Sequence, residues 1–339
     1  MATVGRSTSI TATEITERLT AFLRGSLSAP VRIESLRRVP GGASRETWSF
    51  EAVHSDASRE KLILRRDPPG HVIQTSRRTE FRLLELAYAA GVQVPRMRWC
   101  VDDQAVLGSS FFIMDFVEGE TIGRKLLRDA EFAPARDVLP EQLARALAAI
   151  HRIAPGDSLP TLSPVASPAA EELGRYEGIY RAITPDPHPA LELAFRWLAA
   201  RVPAGTRTTL VHGDFRIGNV IVGAEGLRAV IDWELAHAGD PVEDIGWLCV
   251  RSWRFGAPLP VGGLATRERF VAAYEHASGV RVDLERVRWW EVFGNLKWAI
   301  ICLMQAKTFL DGAMQSVELA SLGRRVAEME LELLKLTEG

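Results

Sequence analysis

The pattern of apolar and polar positions divides the chain into two regimes. Between Val31 and Val117 the apolar residues come in short alternating runs: IESLRRV, TWSFEAV, KLILRR, VPRMRWCVDD and SSFFIMDFV. Period-two alternation bounded by turn residues predicts half-buried strands, and the tight connections PGGAS and 54–59 predict antiparallel pairing. Two segments break this rhythm. Thr11 followed by Glu14 is a capping-box signal for a helix ending at Gly25, and RRTEFRLLELAYAAG has helical spacing with a glycine stop at Gly91.

Past Gly119 the spacing becomes helical in PEQLARALAAIHRI, EELGRYEGIYRAI, ALELAFRWLAARV, RERFVAAYEHA, LERVRWWEVFGNLKWAIICLMQAKTFL and VELASLGRRVAEMELELLKL. The stretch 154–189 is rich in proline, serine and glycine and reads as a loop-rich insertion. One hairpin, VIVG-AEG-LRAVI, interrupts the helices. The expected fold class is α+β: a small antiparallel-sheet lobe with one main helix over 1–117, and a larger helical lobe carrying the hairpin over 118–339.

Composition narrows the partners more than the fold. At 339 residues the chain accommodates two units of about 100–200 residues each. An apolar fraction of 47% and a charged fraction of 25% are those of an ordinary globular protein. A net charge of −2 and a pI near 6.4 argue against a nucleic acid or an anionic membrane as partner. Cys100, Cys249 and Cys302 are odd in number and widely spaced, which suits a reducing compartment and neither a disulfide framework nor a zinc site. No apolar run approaches the roughly 18 residues of a membrane span. The first residues lack an apolar signal core, so the expected location is cytoplasmic. Oligomeric state is not legible.

The hairpin carries the chemistry. In LVHGDFRIGNVIVGAEGLRAVIDWEL, Asp214 and Asn219 precede one apolar strand and Asp232 follows the other. Cores exclude carboxylates that nothing pairs with. Pairing of Val220–Val222 with Ala229–Ile231 brings Asn219 and Asp232 to the same open end, with Asp214 across the loop. An amide oxygen and a carboxylate there suit Mg²⁺, which takes one or two protein oxygens and fills its other positions from phosphates and water. The second carboxylate is then placed to accept the proton of an attacking hydroxyl. A metallohydrolase reading finds no second histidine at ligand spacing.

The spacing HGDxxxxN, then IDWE at hairpin distance, resembles the protein-kinase catalytic loop and its metal aspartate. With GDPVEDIGWL following, and with LILRRDPPG and FFIMDFVEG upstream, the sequence resembles the aminoglycoside phosphotransferase-like (APH-like) family of small-molecule kinases. Within that family it is similar to the branch that includes kinase domains fused to acyl-CoA dehydrogenases. The resemblance implies a two-lobed protein-kinase-like fold that binds ATP and Mg²⁺ between its lobes. It implies Asp214 as the base, Asn219 and Asp232 on the metal, and Gly41, Gly42 and Ser44 over the phosphates.

Further roles follow from the same resemblance. Arg65 stands where the family has the lysine that touches the phosphates, with Lys61 or Arg66 as alternatives. Glu80 is its carboxylate partner, or else a solvated residue beside Arg77 and Arg78. Met114 backs the nucleotide pocket, and Asp115 to Val117 form the hinge. Arg216 is either a cation for the transferring phosphoryl group or a surface charge. Asp244 and His212 brace the loop, His151 packs in a helix, and Trp289, Trp290 and Trp298 are core or pocket. The implied substrate is a hydroxylated small molecule. The arginines and tryptophans of the second lobe, and a MELELLKLTEG segment that reads as an ordinary amphipathic helix with a short frayed tail, favour an anionic or apolar one such as a hydroxyacyl-CoA over an aminoglycoside or other antibiotic. A pseudokinase stays open because of Arg65. A protein kinase does not fit, because the chain runs from IDWE to DPVED with no room for an activation segment.

Overall fold

The computed structural model describes residues 10–39, 46–67, 76–154, 156, 166–184, 186–205, 207–314 and 316–338. Two compact units, Met1–Glu118 and Gly119–Gly339, account for the chain. Gly41, Gly42 and Ser44 lie outside the described residues.

The first unit is the antiparallel sheet that the alternation predicts. Helix α1 (Ala12–Leu27) begins at the Thr11–Glu14 capping box and buries Ile15, Leu19 and Leu23 on one face. It does not stop at Gly25. A Cβ there would meet nothing, and the chain turns instead at Ser28 in the left-handed region. Strands β1 (Val31–Arg38), β2 (Glu46–His54), β3 (Arg59–Arg66), β4 (Met97–Val101) and β5 (Phe111–Asp115) form one sheet in the order β1-β2-β3-β5-β4. Helix α2 (Arg77–Ala89) lies between β3 and β4 in sequence, and the single turn α3 (Gln104–Leu107) precedes β5. Side chains alternate across the sheet, so Leu62, Leu64, Phe111 and Ile113 join the α1 residues in one core cluster. Ile63, Arg65, Phe112 and Met114 thereby share the other face, with Ile63 paired to Met114 and Arg65 to Phe112.

The second unit is helical, as expected. Its elements are α4 (Gly123–Arg128), α5 (Ala133–Ile150), α6 (Pro168–Ile183), α7 (Pro189–Ala199), α8 (Val242–Leu248), α9 (Arg267–Ser278), α10 (Leu284–Leu310), α11 (Val317–Leu322) and α12 (Val326–Thr337). The segment read as loop-rich therefore contains a full helix, α6, started by a proline in its first turn. Strands β6 (Thr209–Val211) and β9 (His237–Gly239) pair, and β7 (Val220–Gly223) and β8 (Gly226–Val230) form the hairpin. Its register differs by one residue from the expected one: Val220 faces Val230 and Ile221 faces Ala229, after which an irregularity sets Val222 against Leu227. Asn219 and Asp232 stay at the same end, because the Ile231 N–H donates to the Asn219 carbonyl at 3.0 Å. Helix α10 is the spine. It is buried from Trp289 through Lys297 and packs so closely on α8 that a Cβ at Gly246 would lie 2.4 Å from Trp290 Cβ.

Candidate active site

The loop between β6 and β7 is held from beneath by one carboxylate. Asp244, in the first turn of α8 and fully buried, accepts the N–H of His212 at 2.8 Å and of Gly213 at 2.9 Å. It also accepts His151 Nε2 at 3.1 Å, and His151 Nδ1 meets the Tyr274 hydroxyl at 2.8 Å. A carboxylate oxygen accepts, so Nε2 is the donor in the contact with Asp244. His151 is thus packed, as expected, and also links α5 and α9 to the loop brace. Gly213 is required by geometry: its φ is +78°, and a Cβ would sit 2.4 Å from the Leu235 carbonyl oxygen.

His212 is a strut in this loop. Its Nε2 donates to the Ile231 carbonyl at 3.1 Å, and its Nδ1 accepts the Asp214 N–H at 3.2 Å. Burial holds its pKa below the usual histidine range despite Asp244, Asp214 and Asp232 nearby. A neutral ring is what that pair of hydrogen bonds needs.

Asp214 is gripped by three donors. Trp247 Nε1 and Arg216 Nε reach its Oδ1 at 2.8 and 3.0 Å, and Asn219 Nδ2 reaches its Oδ2 at 2.5 Å. Asn219 Nδ2 also donates to the Asp214 carbonyl at 3.0 Å. With the amide nitrogen so committed, Oδ1 is the end of Asn219 that remains to act as an oxygen ligand. Asp232 takes a φ of +67°, a conformation uncommon outside glycine and a frequent mark of functional positions. A hard divalent cation fits this donor set of one amide oxygen and one carboxylate. Arg216 is no bare surface charge. Its guanidinium lies 4.5 Å from the Trp253 ring centroid while its Nε holds Asp214.

Two contacts of this loop had no reading in the sequence, those of Trp247 and Lys297. The Trp247 indole is the hydrogen-bond partner of Asp214 described above. Lys297 lies behind the loop, its Nζ donating to the Gly213 carbonyl at 3.4 Å and to Glu243 Oε1 at 3.2 Å. The second Glu243 oxygen meets His237 Nε2 at 3.2 Å, and His237 Nδ1 donates to the Leu235 carbonyl at 2.9 Å. Burial opposes charge on His237, but the Glu243 carboxylate outweighs it and raises the pKa to about 9. Burial would raise Glu243, but His237 and Lys297 hold it well below the carboxylate range. Glu172, His237 and Glu243 could converge on a metal ion, yet the Arg175 fork takes both Glu172 oxygens and Lys297 and His237 take those of Glu243. Cations of the chain already fill that cluster.

In the first unit, Arg65 Nη1 donates to Glu80 Oε1 at 2.8 Å. Glu80 is fully buried, not solvated, and its second oxygen pairs with Arg77 Nη1 at 2.8 Å. Arg77 in turn reaches Asp67 Oδ1 with its Nε at 2.8 Å. The rival cations are engaged elsewhere: Lys61 Nζ lies 3.9 Å from the Phe116 ring centroid, and Arg66 pairs with Glu46 and the Leu107 carbonyl. At the hinge, the Asp115 N–H donates to the Arg96 carbonyl and the Phe116 N–H to that of Lys61. Among the described residues no backbone carbonyl accepts the N–H of Val117. Trp289 and Trp290 are core residues that bond to Leu198 and Asp240, whereas Trp298 is half-buried and packs on Trp253 with ring centroids 4.8 Å apart.

The sequence pattern of the Phosphotransferase enzyme family (APH) matches residues 35–290, most of the chain. The chain belongs to that family. Membership makes it a phosphotransferase. The chain is 30% identical over 195 residues to acyl-CoA dehydrogenase family member 10 of Mus musculus, covering 56% of this chain and 18% of that protein. It spans well under half the length of the curated relatives it matches. Among solved structures, a putative aminoglycoside phosphotransferase from Ralstonia eutropha JMP134 superposes with a TM-score of 0.74 at 23% identity, covering 95% of this chain and 98% of that one. A spectinomycin phosphotransferase solved with ADP and spectinomycin gives a TM-score of 0.63 at 13% identity, covering 94% and 98%. These likenesses bear out the protein-kinase-like fold of the family. Among the described residues no helix is long and apolar enough to cross a membrane.

Proposed function

We propose that the chain transfers the γ-phosphoryl group of ATP to the hydroxyl of an anionic or apolar metabolite, with a hydroxyacyl-CoA as the candidate acceptor. Asp214 orients that hydroxyl and takes its proton. Asn219 and Asp232 hold Mg²⁺, which supplies charge neutralisation to the phosphates when bound. Arg65, fixed by Glu80, meets the phosphates of the nucleotide. Gly41, Gly42 and Ser44 cover them, Met114 backs the base, and the Asp115–Val117 hinge reads it through the Val117 N–H. Arg216 leaves Asp214 for the transferring phosphoryl group, where a fixed cation is worth orders of magnitude in rate.

One observation carries this reading. The Asn219 amide nitrogen is tied to the carboxylate of Asp214 while its carbonyl accepts the Ile231 N–H, so the residues proposed as base and metal ligands are gathered at one end of a single hairpin. That arrangement supports an intact enzyme over a pseudokinase. Two features support the acceptor class: similarity to a segment of an acyl-CoA dehydrogenase family member, and Arg216 beside the base, which a polycationic acceptor would have to face. The antibiotic reading has its own support in the aminoglycoside and spectinomycin phosphotransferases that share the fold.

ADP release with Mg²⁺ and ATP or GTP, across hydroxyacyl-CoAs, aminoglycosides and macrolides, tests the proposal, with Asp214→Asn alongside. Acceptor-dependent release with a hydroxyacyl-CoA that vanishes in the variant is the expected result. Release with an antibiotic alone would replace the acceptor class. Turnover that survives Asp214→Asn would overturn the base, and nucleotide binding without turnover would favour the pseudokinase.

A further inference from the structure

Lys297 takes no part in the reaction proposed above, yet it sits directly behind the loop that carries the base. The chain writes 36 of its 41 basic residues as arginine and only five as lysine, and one of those five is buried here. Burying an ammonium costs several kcal/mol unless its protons are satisfied. Around Lys297 they are. Gly213 and Glu243 accept from it, and the rings of Trp247 and Tyr176 lie at 4.8 and 5.6 Å. A compact ammonium fits this box, whereas the flat fork of an arginine would not address a carbonyl, a carboxylate and two ring faces at once.

Two of these contacts converge on one residue. The Gly213 carbonyl belongs to the peptide bond whose nitrogen is that of Asp214, so Lys297 restrains the main chain of Asp214. The indole of Trp247 donates to Asp214 Oδ1, so the same ammonium also steadies a donor on the carboxylate. We propose that Lys297 is a positioning residue for Asp214, acting through the Gly213 carbonyl and the Trp247 indole, with Glu243 and His237 holding its charge in place. The inference rests on the reading of Asp214 as the base.

The test uses the full chain with isotope-labelled tryptophan, and it reads the indole N–H resonances with Trp247 assigned through Trp247→Phe. In Lys297→Met the Trp247 resonance is expected to move toward the position it takes in Asp214→Asn. In the ADP-release assay, with the best acceptor or with water alone, kcat is expected to fall about tenfold or more while KM for ATP stays within about twofold. Lys297→Gln keeps a donor for Gly213 and removes the charge, so it should fall between wild type and Met; it carries the test if the Met variant does not fold. A Trp247 resonance unmoved in both variants would overturn the proposal. So would a KM for ATP that rises in step with the fall in kcat, the mark of a merely structural role. Full activity in the Lys297 variants with Asp214→Asn inactive refutes this inference alone, whereas an active Asp214→Asn refutes the base itself.

Discussion

Replacing Asp244 by asparagine is the sharpest probe of how the loop is built. The side chain keeps its volume, yet one of two accepting oxygens becomes a donating amide. Asp244 Oδ2 accepts from the His212 N–H and from His151 Nε2, and Oδ1 accepts from the Gly213 N–H. Whichever way the new amide turns, its NH₂ faces at least one buried N–H. A hydrogen bond to a charged acceptor contributes about 1.5–3 kcal/mol, and a buried donor left unmet costs about 1–3 kcal/mol more. The sum, about 2.5–6 kcal/mol, is a large part of the roughly 5–15 kcal/mol that holds a domain folded. Urea denaturation of wild type and variant at neutral pH measures it, provided the slope m is unchanged. Turnover should fall as well, because the freed loop carries Asp214. A loss below about 1 kcal/mol with turnover intact would refute the reasoning.

Two further outcomes follow. Arg65→Lys preserves charge but gives up the planar fork that reaches Glu80, so KM for the nucleotide should rise about tenfold with a smaller change in kcat, read from initial rates. An unchanged KM would return the phosphate contact to another cation. His237 has its folded pKa raised to about 9 from the ordinary histidine value of 6.5, so its contribution is complete below the unfolded pKa and is lost as pH rises through the folded one. Wild type should therefore lose up to ~3 kcal/mol more than His237→Gln between about pH 6 and pH 10 in denaturant titrations, and parallel curves would sink the assignment.

Much of the fold is legible because its signals are local. Alternation in KLILRR and FFIMDFV marks a sheet, and its two-residue period also separates Leu62 and Leu64, which pack with α1, from Ile63 and Arg65 on the opposite face. The hairpin ends are legible for a different reason, since polar residues flanking apolar strands are costly unless something uses them. What is not legible depends on distant partners. The hairpin register shifts at an irregularity between Ile221 and Val222, which the β-strand pattern of either arm does not encode. The short helix α8 is hidden in DPVEDIGWL, where propensity says little and packing on α10 decides. Trp247 and Lys297 read as ordinary helix residues, and only the fold brings a tryptophan, 33 positions on from Asp214, to its carboxylate.

Those contacts bear on the question that Arg216 raises. A carboxylate offers about four lone-pair sites, and three donors already engage that of Asp214. For the carboxylate to take a hydroxyl proton in the proposed reaction, the hydroxyl must use the remaining site or displace a donor. Trp247 is buried and steadied by Lys297. Asn219 is tied through its own carbonyl to Ile231, just past β8, and its Nδ2 has a second anchor on the Asp214 backbone. Arg216 is the least constrained of the three. It holds Asp214 through Nε alone, its side chain is partly exposed, and the face of Trp253 supports its guanidinium without a directional bond. The donor that can yield most cheaply is therefore the one that carries a positive charge. In the proposed transfer its departure opens the base and frees the cation for the phosphoryl group in a single movement.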